Sequence, residues 1–414
     1  MCGHRGHAGV CALAVRGGVR GRAVRRRCVH AETARPAAVV ATAACAVGVT
    51  VASIVFVNRA GRVSGAEVVL LRLIQAALER GDQVRVISPV GVLADRLPAS
   101  VAHSEIDELD LGGASGVARM MALGALARRW LRAAAVIRRT VGAHDVVIVN
   151  SLLALPAARF ARLRQGVSWL VHDTIDEAKQ RAMVRIGRPA IRRAVAVSPP
   201  TAAPVQQLGL EVSVSPLGVD IPGVRAQRRA RPQPVIGIMG VITPWKGHQV
   251  LLQALTQIPG VRCEVAGSAF HADADYLTEL QHFSSAELDG RVDFLGHVDP
   301  VATVLNWDIL VNASTSPEAG PIVALEAMSV GVPVIATDHG GSSWLLRDGA
   351  GVLVPVGDAD ALGAAISAVL ENPSGVAEMV ERAYERVCAD HDARLAFPAM
   401  LDALMPDGLR QVRR

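Results

Sequence analysis

One pattern, run twice, constrains this chain more than any other feature. Short β-branched runs alternate with amphipathic runs, the alternation stops at a Pro- and Arg-rich stretch, and then it restarts. The first series holds SIVFVN (53–58), QVRVISP (83–89), DVVIVN (145–150), SWLVHD (168–173) and AVAVSP (194–199). The second holds VIGIMGV (235–241), RCEVAG (262–267), VDFLGH (292–297), DILVNAS (308–314), VPVIAT (332–337) and GVLVP (351–355). Runs as continuously apolar as these read as parallel strands covered on both faces. Between the first two, SGAEVVLLRLIQAALERGD places Leu70, Leu73, Ile74, Ala77 and Leu78 on one helical face. Ser64 and Glu67 form a capping box at its start, and Gly81 ends it.

Two β/α series joined by a linker predict an α/β protein of two doubly wound, Rossmann-like domains facing across a cleft. Ligands then sit at the carboxyl ends of the strands, between the domains. A chain of 414 residues suits two such cores. The predicted boundaries are 51–215 for the first domain, 235–390 for the second, and 391–414 for a C-terminal helical segment that crosses back toward the first. SVSPLGVDIPGVRAQRRARPQP (213–234) reads as the linker, 216–234 being its connecting part.

The net charge of +5 originates in the first 50 residues, which hold eight Arg and one Glu. From residue 51 onward there are 35 basic and 37 acidic residues and no basic stripe with interleaved aromatics, so nucleic acid is not an expected partner. The halves differ, however: residues 51–222 carry 21 basic and 14 acidic side chains, residues 223–414 carry 14 and 23. Much of the basic excess lies in RMMALGALARRWLRAAAVIRRT (119–140), with Arg128, Arg129, Arg132, Arg138 and Arg139. A solvated helical face accounts for it, and so does peripheral contact with an anionic membrane. Only Cys263 and Cys388 fall in the body, which indicates neither a disulfide framework nor a zinc site. A cytoplasmic protein is expected, with the inner membrane face as its one alternative placement.

Residues 1–50 read as a disordered or mis-assigned tail. The apolar run 37–57 is long enough to span a bilayer, with basic residues before it. The reading preferred here makes Ser53–Val57 the first strand of the body.

The chemistry concentrates in TSPEAGPIVALEAMSVGVPVIAT (315–337). Gly320-Pro321 signals a helix start and Gly331 a stop, giving a helix of about ten residues. Its free N–H groups favour an anion such as a nucleotide diphosphate. Glu318 stands just before that helix and Glu326 lies within it, between Leu325 and Ala327, where a carboxylate is costly unless hydrogen-bonded. Sugar and ribose hydroxyls are good donors to carboxylates. One ligand carrying phosphate, ribose and hexose explains all three features.

This setting, followed by Gly340-Gly341, closely resembles the E-x(7)-E region of the retaining GT-B-fold glycosyltransferases, family 4 (glycosyl transferases group 1). The resemblance covers nearly all of residues 53–390. VSGAE looks like the family's first glycine-rich loop, VHD its central histidine segment, GVITPWKGH its phosphate-binding lysine segment, and GAGVLVPVGDADALGAAI its closing strand and helix. The resemblance implies that Glu318 contacts hydroxyls of the transferred sugar, with the backbone of Ala319, Gly320, Pro321 and Ile322 near sugar and phosphate. It implies that Glu326 holds the ribose, Lys246 neutralises the departing diphosphate beside Gly240, His172 lines the reaction centre, and Gly65 lets the first loop approach donor and acceptor. Lys246 stands out by composition as well, because the chain has two lysines against 41 arginines. Ser64 and Glu67 read as helix caps only, and a core histidine is the rival reading of His172.

Two departures stand out. Many family members carry Arg after the glycine where this chain has Val241, and the usual acid after the Gly-Gly turn is Trp344. No D-x-D motif lies in a metal-binding context, since DAD at 273–275 and 358–360 reads as two helix starts, so neither catalytic metal nor cofactor is expected. The implied function is transfer of a sugar from a nucleotide sugar to a hydroxyl of a sugar, glycan or lipid-linked acceptor, with retention, in cell-surface polysaccharide or glycolipid synthesis. The alternative is a non-catalytic sugar-nucleotide-binding subunit of a polysaccharide assembly system. A nicotinamide-dependent enzyme is disfavoured because NRAGRVSGAE lacks the G-x-G-x-x-G spacing.

Overall fold

The computed structural model describes residues 51–110, 116–226 and 231–409. The tail of residues 1–50, part of the linker and the last five residues lie outside the described residues. The first sheet comprises β1 (Ser53–Val57), β2 (Gln83–Ser88), β3 (Ala102–Glu105), β4 (Val146–Val149), β5 (Val167–Val171), β6 (Ile191–Ala196) and β7 (Val212–Val214). The second comprises β8 (Val235–Met239), β9 (Arg262–Ala266), β10 (Val292–Gly296), β11 (Ile309–Asn312), β12 (Val334–Thr337) and β13 (Val352–Val354). Their orders are β3-β2-β1-β4-β5-β6-β7 and β10-β9-β8-β11-β12-β13, with every pairing parallel. The protein therefore has two doubly wound α/β sheets, as the alternation predicts.

Two strands escaped the sequence reading, β3 and β7. Both are sheet edges, where one face of hydrogen bonding suffices and apolar runs are not required. AHSE is polar throughout, and VSV overlaps the stretch read as linker, so the first sheet extends further into 213–234 than its composition suggests.

Alternation along β1 sets the layers. Ile54 and Phe56 point to one face, against Leu70, Leu73 and Ile74 of the helix Gly65–Glu79. Val55 and Val57 point to the other, against Ile137 and Leu155. Each fully buried leucine or isoleucine of this kind contributes about 1.5–3 kcal/mol. The first of these cores does not stop at the sheet: it continues through Leu217 and Val219 to Leu325 and Met328 of the second half. The helix Ala393–Leu404 joins the same core through Phe397, Met400 and Leu401. Ser168 on β5 donates to the carbonyl of Leu404 at 2.6 Å, and Arg80 pairs with Asp402 at 2.9 Å. The C-terminal segment is thus anchored on the first sheet.

In each sheet the strand order reverses between two neighbours, β1 and β4 in the first and β8 and β11 in the second. Such switch points leave a crevice at the strands' carboxyl ends. Asn58 and Asn150 follow β1 and β4, while Gly240 and Ala313 follow β8 and β11. These are the positions from which a site is built.

Candidate active site

After β8 the chain turns through Gly240 into a short 3-10 segment, Pro244–Lys246. Gly247 then adopts φ +73°, and a Cβ there would fall 1.9 Å from the carbonyl oxygen of Ala313. Only glycine lets the lysine loop press this closely on the end of β11. The backbone of Thr315 completes the join by donating to the carbonyl of Trp245 at 2.7 Å.

The result is an ion pair. Lys246 Nζ lies 2.8 Å from Glu318 Oε2, with 18% and 10% of the two side chains exposed. Ser314, fully buried, donates to the other carboxylate oxygen. The Trp245 ring lies 4.4 Å from the ammonium, and a Cβ on Gly240 would lie 3.7 Å from Lys246 Cε. The Glu318 backbone is fixed as firmly: its carbonyl accepts from Gly341 N–H at 2.6 Å, and Gly340 takes φ +54° with no room for a Cβ against that carbonyl.

The helix that follows runs Ile322–Ser329, with Pro321 at its N-cap. It is slightly shorter than the ten residues expected, because the chain stays extended through Pro321. The N–H groups of Ala319, Gly320 and Ile322 donate to no described residue. Unpaired donors at a helix start constitute a place for an anion or for sugar oxygens. The carbonyl of Ala319 instead accepts from Ser198 Oγ, at 2.6 Å, at the head of the first-domain helix Pro199–Gln207. Gly65, at the start of the helix Gly65–Glu79, faces the same loop: an added Cβ would lie 3.8 Å from Ile322 Cδ1. Both halves of the chain therefore converge on residues 318–322.

Glu326 sits one turn into the helix, half-buried, with its pKa pushed up to about 7. Burial is the main cause; Asp299 and Asp220 add to it, and Arg72 opposes it. No described residue hydrogen-bonds its carboxylate. His172, after β5, lies with Nε2 3.0 Å from Asn150 Oδ1, and burial lowers its pKa to about 4. The imidazole is neutral at physiological pH.

The departures have distinct surroundings. Val241 is half-buried and brings no charge to the lysine loop. The rings of Trp344 and His391 form a T-shaped pair with centroids 5.7 Å apart, and the Arg347 guanidinium lies 4.7 Å from the Trp344 ring, a packing role at the crossover of the C-terminal segment. Five further polar residues were missed as parts of the site: Asn58, Asn150, Ser198 and Ser314, together with Glu67, which was read only as a cap. The signal for two of them was present, since FVN and IVN both close an apolar strand with asparagine.

The family model described as Glycosyltransferase Family 4 matches residues 63–221, and that described as Glycosyl transferases group 1 matches residues 224–386. A D-inositol 3-phosphate glycosyltransferase of Mycobacterium marinum is 32% identical over 260 residues, 59% of this chain and 50% of the relative. A phosphatidyl-myo-inositol mannosyltransferase of Mycolicibacterium smegmatis is 37% identical over 152 residues, 35% of this chain and 38% of the relative. This chain spans about half the length, or less, of these curated relatives. Among solved structures, Anabaena Alr3699/HepE in complex with UDP and glucose superimposes with a TM-score of 0.71 at 22% identity, over 85% of this chain and 98% of that one. That likeness establishes the GT-B fold. With one family model on each half and this fold throughout, the chain belongs to the GT-B glycosyltransferases of family 4, glycosyl transferases group 1.

Proposed function

We propose that this protein transfers a sugar from a nucleotide-sugar donor to an acceptor hydroxyl, with retention of configuration and without a catalytic metal or cofactor. The observation that carries the reading is the Lys246–Glu318 pair beside the free N–H groups of Ala319, Gly320 and Ile322. A donor exchanges that pair for better partners: its diphosphate takes the ammonium and the helix N-terminus, and its sugar hydroxyls take the carboxylate. As the glycosidic bond lengthens, negative charge gathers on the diphosphate where Lys246 and the N–H groups already point. Gly65 brings the first loop close, leaving room for an acceptor on that side, and Glu326 meets the ribose. Retention follows the family pattern, attack coming from the face the diphosphate leaves. The rival reading, a non-catalytic sugar-nucleotide-binding subunit, predicts binding without turnover. A panel of nucleotide sugars scored for slow donor hydrolysis decides between them: hydrolysis of at least one donor supports the enzyme, and thermal stabilisation with no hydrolysis supports the binding subunit.

The acceptor is a sugar, glycan or lipid-linked sugar in glycolipid or cell-surface polysaccharide synthesis, reached at the inner membrane face by an otherwise cytoplasmic protein. Support comes from the helix Gly116–Thr140. Met121 is 72% exposed and, at 3.6 residues per turn, shares one stripe with the exposed Arg128, Arg132 and Arg139, while Leu131 flanks it at 58% exposed. Apolar and basic side chains interleaved on one exposed face suit anionic lipid head groups. No helix among the described residues is long and apolar enough to cross a membrane. Arg129 turns inward and donates to the Glu108 carbonyl at 2.7 Å, and Arg132 also reaches Asp107 at 3.4 Å.

A further inference from the structure

Below the cleft floor of the first domain lies a run of buried polar side chains that the mechanism above does not use. Asn58 and Asn150 are 0% and 1% exposed and Glu67 is 3% exposed. Parallel pairing of β1 with β4, with Val57 opposite Val149, sets the two asparagines side by side. Asn150 Nδ2 donates to Asn58 Oδ1 at 3.1 Å and to the Ala66 carbonyl at 3.3 Å. Asn58 Nδ2 donates to the Ala60 carbonyl at 2.9 Å and to Glu67 Oε1 at 3.1 Å. Glu67 Oε2 accepts from Ser64 N–H at 3.0 Å and from Ser64 Oγ at 2.5 Å. At the other end, His172 Nε2 meets Asn150 Oδ1 at 3.0 Å.

The direction of this chain is forced. A carboxylate and two backbone carbonyls can only accept. Asn58 must therefore turn its NH2 toward Glu67 and Ala60, which leaves its oxygen for Asn150. Asn150 must turn its NH2 toward Asn58 and Ala66, which leaves its oxygen for His172. Rotating either amide would set acceptor against acceptor in a buried site, at a cost of about 1–3 kcal/mol per unmade bond. We propose that Asn58 and Asn150 are positioning residues, which transmit the orientation of the Ser64–Glu67 capping box to His172 and hold it as the Nε2–H tautomer with Nδ1 as a fixed acceptor. Nδ1 makes no hydrogen bond to a described residue and is offered to a hydroxyl of the donor sugar or the acceptor. This rests on the reading of His172 as a cleft-lining residue. The charged groups of the same neighbourhood are Asp173, Arg59 and Glu67.

The test reads the ring directly. In protein labelled with 15N at the histidine rings, with the His172 signals assigned by loss in His172→Gln, the ring is expected as a single Nε2–H tautomer between pH 5.5 and 8. An Nδ1–H tautomer or an imidazolium in that range overturns the proposal. In Asn58→Leu, which changes no atom touching His172, the ring is expected to average between tautomers and kcat to fall about tenfold with KM changed less than twofold. An unaltered tautomer in folded Asn58→Leu overturns it. Asn150→Asp sets a carboxylate beside Nε2, so His172 is expected to titrate at higher pH and kcat to gain an acid limb that the parent lacks. A profile as flat as the parent's counts against the proposal. The ring spectra need no substrate, so they stand or fall separately from sugar transfer.

Discussion

Lys246 and Glu318, 72 residues apart in sequence, form one ion pair at 2.8 Å, each supplied by the loop after a different strand of the second sheet. In the proposed reaction both partners are engaged by the donor. The pair is then a resting arrangement that keeps two poorly solvated charges neutralised until diphosphate and sugar divide them. An ammonium and a carboxylate left alone at this depth would each be costly.

Removing the carboxylate alone tests that division. Glu318→Gln leaves Lys246 without its anion and relieves repulsion of an incoming diphosphate. A free nucleoside diphosphate is expected to bind roughly tenfold more tightly to this variant, while turnover falls about 100-fold or more because the sugar loses its carboxylate. Isothermal titration with the diphosphate, beside initial rates, checks both. Weaker diphosphate binding would break the link between the two residues.

Glu326 gives a pH dependence with a definite sign. Its folded pKa, about 7, lies above that of an unfolded glutamate, so the charged form is disfavoured by folding. Between about pH 4.5 and 7 the folded state binds this proton more strongly than the unfolded state, and the penalty is full above pH 7. Glu326→Gln is expected to raise the Tm at pH 8 and to change it little at pH 5. The carboxylate accepts ribose hydroxyls better than the acid, so donor affinity should rise from pH 6 to 8 in the parent and stay level in the variant. Melting curves and titrations at both pH values decide it.

Much of the fold was legible, and the reason is physical. Nine of the strands announce themselves because interior strands covered on both faces are largely apolar; the edges β10 and β13 were legible because they still carry the apolar runs VDFLG and VLV, whereas the edges β3, with AHSE, and β7, with VSV, are too polar or too short to show. In the site, Lys246 stood out by its rarity and Glu318 by its Gly-Pro neighbour, and the fold sets them together. Asn58 and Asn150 did not stand out, since asparagine after a strand is an ordinary turn residue. Their meaning comes from the β1–β4 register, which pairs positions 92 residues apart. Glu67 was half legible: it does cap its helix, but its second oxygen serves Asn58.

Gly340 should tolerate no side chain. At φ +54°, with Glu318 O 2.6 Å from an added Cβ, Gly340→Ala must shift the Glu318 loop. A loss of about 1–3 kcal/mol is expected. The fall in kcat should be larger than that in Gly290→Ala, where φ is +72° but no atom lies within 4 Å. Equal activity of the two variants would detach Gly340 from the site.

For the basic helix face, binding to vesicles containing anionic lipid is expected to weaken with salt. Arg128→Glu combined with Arg139→Glu should reduce it by on the order of tenfold or more. Equal binding to neutral vesicles at every salt concentration would remove the membrane from the account.

The central claim is that Lys246 stabilises diphosphate charge as the sugar departs, and steady-state kinetics of Lys246→Gln tests it most directly. The matched control is Lys179→Gln, because Lys179 is 62% exposed and its 2.6 Å pair with Glu177 is a surface contact of small energetic weight. With a donor that the parent enzyme turns over, Lys246→Gln is expected to lower kcat by roughly 100- to 1,000-fold, with a smaller change in KM, while Lys179→Gln stays near the parent. A folded Lys246→Gln protein with kcat within about twofold of the parent would contradict the assignment of Lys246 to the departing diphosphate.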